Sequence, residues 1–187
     1  MQKTGTKRKK KEMQGLRICF TGNGKGKTTA ACGLILRAVG HKKKVLLVQF
    51  IKSQGSGELR ALERFHPSVV VRQMGYGFCG PAANADHAVH KEKAHEAICF
   101  VEQILRNRKK HYDLVVLDEI NLLVKLRLVT VSDIIRILRL KPPRMHMVLT
   151  GRYAPKAVRD LCDLVSTIQE EKHPYRRGVP AQAVIEF

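Results

Sequence analysis

The sequence contains no tryptophan, and aromatic residues make up only 5% of its 187 residues. A protein that binds single-stranded nucleic acid by stacking bases usually has more aromatic side chains, so this scarcity speaks against that class. No apolar run approaches the ~18 residues that a membrane-spanning helix requires. No apolar segment of the secretory type follows the basic N-terminus. We therefore predict a protein with neither a membrane span nor a signal peptide.

The five cysteines are widely spread and include no Cys-x-x-Cys pair. This spacing is not that of a disulfide framework or a zinc ribbon, and it favours a reduced cytoplasmic location. Free cysteine behaves as a small apolar residue. We expect at least four of the five to be buried in the core.

Acidic residues are also scarce, with 16 Asp and Glu against 35 Lys and Arg, which gives a net charge of +19. Residues 1–12 hold six basic residues and one acidic residue, so +5 of this charge lies there. We predict a disordered basic tail at 1–14 and a single domain at 15–187. A charge of this size attracts nucleic acid or small anions, and composition does not choose between them.

Short apolar runs alternate with longer helical segments along the rest of the chain. The pattern predicts strands at 16–21, 44–50, 68–73, 113–117, 146–150 and 164–168. It predicts helices at 28–39, with Gly40 as C-cap, and at 58–65, 85–109, 132–140 and 155–162. Continuous Val, Ile and Leu runs separated by helices indicate a mostly parallel sheet buried on both faces. We therefore predict an α/β fold of three layers, α/β/α.

The most informative motif is a glycine-rich segment, residues 21–29, between the first predicted strand and the first predicted helix. This context is typical of a phosphate loop, whose backbone N–H groups and helix N-terminus bind anions. Lys27 would neutralise phosphate oxygens, and the Thr28 hydroxyl would bind Mg²⁺. The usual pattern places glycine where this chain has Thr21, so Gly22 serves as the first glycine of a variant loop.

A second motif is the apolar strand at 114–117, which ends in Asp118 and Glu119. A carboxylate at the carboxyl end of a strand neighbouring a phosphate loop can reach the metal or its waters. Together the two motifs predict a Mg²⁺–nucleotide site at the carboxyl ends of the strands. Glu119 could instead activate water in an ATPase.

The chain resembles the phosphate-loop ATP:corrinoid adenosyltransferases that act on cobalamin precursors and cob(I)alamin. The resemblance runs in order through segments at 21–33, 37–53, 57–58, 74–78, 116–120, 150–152, 163–168 and 171–187. It implies a RecA-like phosphate-loop fold in which Co(I) of the corrinoid attacks C5′ of ATP and triphosphate leaves. Because Co(I) is itself a strong nucleophile, the protein needs to supply positioning and charge stabilisation only.

The resemblance also implies site residues. The ATP-binding set is Gly22, Asn23, Gly24, Lys25, Gly26, Lys27, Thr28, Thr29, Arg37 and Arg152. The implied metal ligands are Thr28, Asp118 and Glu119, and the implied catalytic residues are Lys27 and Phe78. Gln49, Lys52, Lys172 and His173 match further family positions, for which a structural role is at least as well supported. A homodimer and a flavin protein as reductant partner are further implications.

One departure from the family pattern concerns the corrinoid. The family segment has Phe and Trp, which cover the lower face of cobalt, whereas this chain has Phe78 but Gly80 in place of Trp. Phe78 would still cap cobalt, with Tyr76 or another aromatic residue filling the gap. The loss also allows a corrinoid-binding relative that does not catalyse transfer.

A third hypothesis is that the protein is a basic phosphate-loop ATPase that binds RNA or DNA. The net charge and the basic run at 7–11 support it. Against it, the sequence has no RNP-like aromatic motif and no zinc-finger spacing. We therefore favour the adenosyltransferase.

Overall fold

The computed structural model describes residues 14–51, 55–77, 87–107 and 109–186. The predicted tail, Lys52, Phe78, Cys79 and Gly80 lie outside these residues, apart from Gln14 at the end of the tail. Within them, six strands form one sheet: β1 (Arg17–Thr21), β2 (Val45–Gln49), β3 (Val69–Gln73), β4 (Leu114–Asp118), β5 (His146–Thr150) and β6 (Leu164–Thr167). The helices are α1 (Lys27–Gly40), α2 (Gly57–Glu63), α3 (His87–Arg106), α4 (Ile120–Lys125), α5 (Val131–Leu140) and α6 (Lys156–Arg159), with a 3₁₀ turn at Pro174–Arg177.

The strand order is β3-β2-β4-β5-β1-β6, and every strand pair is parallel. Strand β5 therefore lies between β1 and β4. This confirms the predicted α/β fold with a parallel sheet. The consequence for function is that the ends of β1 and β4 are separated by the width of one strand, which leaves room for a ligand between them.

Alternate residues of the central strands face two separate apolar clusters. Leu47, Val116 and Val148 pack with α1 and α2 on one face of the sheet. Leu117 and Leu149 pack with α3, α4, α5 and α6 on the other. Burial on both faces explains why β2 and β4 read as uninterrupted apolar runs.

Some expectations were wrong. Strand β6 is largely exposed, because it lies at the sheet edge with one strand neighbour. Gly40 is the last residue of α1, and His41 is the C-cap. Helix α4 was not predicted, since its six residues are too few for helical periodicity. Cys99 is exposed and Cys162 is half-buried, so the expectation that at least four of the five cysteines are buried is wrong. In the described residues, no helix has the length and apolar content needed to cross a membrane.

Candidate functional site

The glycine-rich segment forms a tight turn between β1 and α1. Gly22 and Gly26 have φ angles of 97° and 111°, in the left-handed region that favours glycine. Gly26 is the N-cap of α1, and within the described chain no side chain hydrogen-bonds to cap this helix. The first N–H groups of a helix lack intrahelical partners and carry the positive end of the helix dipole. The start of α1 is therefore able to bind an anion.

The C-terminal segment packs directly against the back of this loop. The Gly24 N–H donates to Ile168 O at 2.8 Å, and the Ile168 N–H donates to Thr21 O at 2.8 Å. A Cβ atom on Gly22 would lie 2.3 Å from Ile168 O, and one on Gly24 would lie 2.5 Å from Gln169 O. These glycines are thus required by the packing of the protein on itself. Because the Gly24 N–H already has a partner, we expect the amides that follow it to bind the anion.

Lys27, the first residue of α1, is 6% exposed, and its Nζ donates to Gly24 O at 2.6 Å. Burial lowers the pKa of this ammonium below its usual value. Glu119 and Asp118 act in the opposite direction, whereas Arg152 acts in the same direction as burial. Both carboxylates and the arginine are therefore within electrostatic range of Lys27.

The lowered pKa of Lys27 predicts that triphosphate binding is coupled to proton uptake at alkaline pH. An anion beside the ammonium raises its pKa, so the complex binds more protons than the free protein. Affinity should then fall as pH rises through the lowered pKa of Lys27. Calorimetric titration of ATP in two alkaline buffers that differ in ionisation enthalpy measures this uptake. Equal heats in both buffers would contradict the prediction, and the Lys27→Met variant should give equal heats.

Asp118, at the end of β4, is 1% exposed and accepts hydrogen bonds from three side chains of the described residues. Thr28 Oγ1 donates to its Oδ1 at 2.9 Å, and Thr150 Oγ1 donates to the same oxygen at 2.7 Å. Gln49 Nε2 donates to Oδ2 at 3.0 Å. The structure thus brings the loop residue Thr28 into direct contact with the acidic residue of the second motif. The sequence analysis did not identify Thr150 as a partner of Asp118. The contact depends on the strand order, which places β5 beside β4.

Glu119 follows Asp118 in a left-handed conformation with φ 64°. Non-glycine residues rarely adopt this region, and strained residues cluster at functional sites. Its N–H donates to Thr150 Oγ1 at 2.9 Å, and the residue is the N-cap of α4. The fold therefore holds Glu119 at the same sheet edge as Lys27 and Asp118.

The remaining predicted residues do not all lie beside the phosphate loop. Lys25 is exposed and forms an ion pair of 3.0 Å with Glu186. Arg37 is exposed and lies ten residues along α1 from Lys27, about 15 Å away, so the structure does not bring it beside the loop. His173 accepts a hydrogen bond from the Tyr175 N–H at 3.2 Å and caps the 3₁₀ turn, and Lys172 is exposed.

The residues after β3 lie along the residues after β2. The Met74 N–H donates to Gln49 O at 2.9 Å, and the Gly77 N–H donates to Ile51 O at 3.0 Å. Gly75 allows this approach, since a Cβ there would lie 2.3 Å from the Ile51 backbone. The exposed ring of Tyr76 meets the His90 ring edge to face at 5.4 Å. Segment 74–77 therefore forms one wall of the carboxyl edge of the sheet.

A glycine-rich turn at a helix N-terminus, a buried lysine and an acidic strand end one strand away define a phosphate-loop nucleotide-binding protein with RecA-like strand order. The flagellar accessory protein FlaH from Methanocaldococcus jannaschii has a similar structure, with a TM-score of 0.54 and 12% sequence identity. The match covers 83% of this chain and 71% of that one, and it bears on the fold alone.

The particular family follows from the sequence comparisons. The model of the family described as ATP:corrinoid adenosyltransferase BtuR/CobO/CobP matches residues 13–187. A corrinoid adenosyltransferase from Sinorhizobium sp is 35% identical over 182 residues, covering 95% of this chain and 83% of that protein. Corrinoid adenosyltransferase CobA of Salmonella typhimurium is 36% identical over 181 residues, covering 94% and 87%. The chain belongs to the ATP:corrinoid adenosyltransferase family.

Proposed function

We propose that this protein transfers the 5′-deoxyadenosyl group of ATP to Co(I) of a corrinoid and releases triphosphate. The observation that carries the proposal is the contact of Thr28 with Asp118 beside the buried Lys27, in a chain that belongs to this family. Family membership favours this activity over the nucleic-acid-stimulated ATPase and over a corrinoid carrier.

The reaction needs no protein nucleophile. The electron pair of Co(I) forms the bond to C5′ of ATP, and the C5′–O bond breaks with its electrons passing to the leaving triphosphate. The protein's task is to orient ATP and to stabilise the negative charge that grows on the triphosphate. We assign this task to the amides at the start of α1 and to the Lys27 ammonium. The position of Arg152 within electrostatic range of Lys27 supports a contribution from this arginine.

The donor set also fits Mg²⁺. Thr28, Asp118 and Glu119 offer oxygen atoms, which this hard cation prefers. Among the described residues, no group of three His, Cys, Asp or Glu side chains could hold a metal by itself. Mg²⁺ uses one or two carboxylates and takes its other ligands from phosphates and water, so Thr28, Asp118 and Glu119 would be sufficient protein ligands. When bound, the ion would neutralise triphosphate charge.

The corrinoid would lie at the carboxyl edge of the sheet, beside segment 74–77. The chain continues from this segment to Phe78, which we propose as the residue that caps cobalt, and the exposed Tyr76 is the aromatic residue we propose to fill the gap left by the missing Trp. A homodimer, a flavin protein as reductant and a cytoplasmic location complete the proposal. They are supported by the family resemblance and the cysteine content.

The test is anaerobic incubation of the full chain with a Co(I) corrinoid and MgATP. We expect loss of Co(I) absorbance, formation of adenosylcorrinoid and release of triphosphate. Asp118→Asn should lower the rate at least about 10-fold, because even groups that only orient metal ligands typically change activity 10–100-fold when they are replaced. Asp160→Asn is the matched control, because Asp160 is exposed and paired with Lys156 on α6, and it should keep the wild-type rate.

Two outcomes would overturn the proposal. Release of ADP and phosphate without adenosylcorrinoid would identify an ATPase, and stimulation by nucleic acid would specify which kind. Binding of the corrinoid without turnover, at full reduction of cobalt, would identify a carrier. Production of adenosylcorrinoid at equal rates by wild type and Asp118→Asn would remove Asp118 from the machinery.

A further inference from the structure

A row of polar side chains crosses the carboxyl edge of the sheet. Gln49 is in register with Gln73 of β3 on one side and with Asp118 of β4 on the other. Leu117 pairs with Leu149, so Asp118 and Thr150 occupy the next position of the same ladder. Residues two positions earlier in β2, β4 and β5 pack against the α1 face. Because side chains alternate along a strand, the row points toward α1, where Thr28 lies.

Gln49 is the centre of this row. Its side chain is 1% exposed, and its Nε2 donates to Asp118 Oδ2 at 3.0 Å. Its Oε1 accepts a hydrogen bond of 3.2 Å from Gln73 Nε2. Strand β2 is otherwise apolar, and a buried amide costs free energy unless it is hydrogen-bonded. An apolar residue would fill this position at lower cost, so the amide itself has a task.

The direction of the amide is determined by its two neighbours. An ionised carboxylate accepts hydrogen bonds only, so the NH₂ end of Gln49 must face Asp118. The donor from Gln73 meets the carbonyl end, which prevents the amide from turning over. Thr28 and Thr150 both donate to Oδ1, whereas Gln49 donates to Oδ2. Gln49 therefore holds the second oxygen of the carboxylate and, together with the two threonines, fixes its rotation about the Cβ–Cγ bond.

We propose that Gln49 is a positioning residue that holds the Asp118 carboxylate in the orientation required to bind the divalent cation of the ATP complex, and that Gln73 holds Gln49. This inference rests on the proposed function, because it assumes a metal–nucleotide complex at this site. It assigns a task to two side chains through their contacts with Asp118 and with each other. Groups that orient metal-binding residues typically change metal affinity or activity 10–100-fold when they are replaced.

The test compares the affinity of the full chain for ATP with Mg²⁺ and for ATP in EDTA, by calorimetry and without corrinoid. In the wild type, Mg²⁺ should tighten binding. Gln49→Met keeps the side-chain volume and removes the amide, and it should weaken MgATP binding about tenfold. Binding of ATP in EDTA should stay within about twofold, because the contacts of the loop with phosphate are unaltered.

Two further variants separate positioning from packing. Gln49→Asn keeps an amide but withdraws it by one methylene, so it should lose the Mg²⁺ preference as Gln49→Met does. Gln73→Met leaves the Gln49 amide in place and removes one neutral hydrogen bond, so its loss should be smaller, about threefold. Melting temperatures of all three variants establish that each is folded.

Several results would overturn the inference. They are an unchanged Mg²⁺ preference in Gln49→Met, a parallel loss of both affinities, a larger loss in Gln73→Met than in Gln49→Met, or a wild type that binds ATP equally with and without Mg²⁺. None of these measurements uses corrinoid. Failure of adenosyl transfer in the wild type would therefore count against the proposed function alone.

Discussion

The Lys27→Met variant is expected to transfer the adenosyl group about 10²–10³-fold more slowly than the wild type, the loss typical when one preorganised charge-stabilising group is removed. Lys27 is a buried cation at the N-terminus of α1, within electrostatic range of Asp118 and Glu119. Without the Lys27 ammonium, the triphosphate would bind near two carboxylates with less positive charge to offset their mutual repulsion. The measurements are the rate of adenosylcorrinoid formation and the affinity for MgATP.

Lys141 supplies a matched control, because it is also a buried lysine whose pKa burial lowers. It lies at the opposite edge of the sheet, where its Nζ donates to Gly15 O, Pro142 O and Met145 O at 2.9, 3.0 and 2.8 Å. Lys141→Met should lose about 1–3 kcal/mol of unfolding free energy, because it leaves carbonyls without a donor. Its affinity for MgATP should match the wild type.

A smaller loss of unfolding free energy is expected of Lys27→Met than of Lys141→Met. Lys27 donates to one carbonyl, Gly24 O, whereas Lys141 donates to three. Equal losses of stability in the two variants, or wild-type transfer by Lys27→Met, would contradict the proposed role.

Gly24→Ala is expected to destabilise the protein by about 1–3 kcal/mol, as overpacked sites usually do. The added Cβ would lie 2.5 Å from Gln169 O, and this neighbour is backbone that cannot rotate away. The C-terminal segment and the phosphate loop would have to separate, which breaks the 2.8 Å hydrogen bond from the Gly24 N–H to Ile168 O. Gly22→Ala should lose a further ~1–2 kcal/mol, because Gly22 is left-handed.

Urea unfolding measures this effect, and calorimetry with MgATP measures weaker binding in the folded fraction. Gly33→Ala is the control within α1, where an added Cβ meets nothing within 4 Å. Because alanine favours helix, it should gain about 0.5–1 kcal/mol. A Gly24→Ala variant as stable as the wild type would mean that the C-terminal segment does not constrain the loop.

Local pattern predicted most elements of the fold. Each of the six strands was predicted within about two residues of its observed bounds, because apolar runs flanked by turn residues are a local signal. Thr130, the N-cap of α5, forms a capping box with Asp133, a contact within four residues of chain that fixes the start of this helix locally. Local pattern failed for α4, which is six residues long and has the left-handed Glu119 as its N-cap. Such a short helix is stabilised by packing and has little periodicity of its own.

The sequence by itself determined the chemistry available: a glycine-rich turn with Lys27 and Thr28, and an acidic strand end at Asp118. Only the tertiary structure decided which other groups meet them. Thr150 and Gln49 contact Asp118 because β4 lies between β2 and β5. Gly22 and Gly24 are constrained because β6 brings the C-terminal segment behind the loop. These partners are distant in the chain. Strand order arises from long-range packing and crossover connections, which leave no periodic signal in the sequence around each residue.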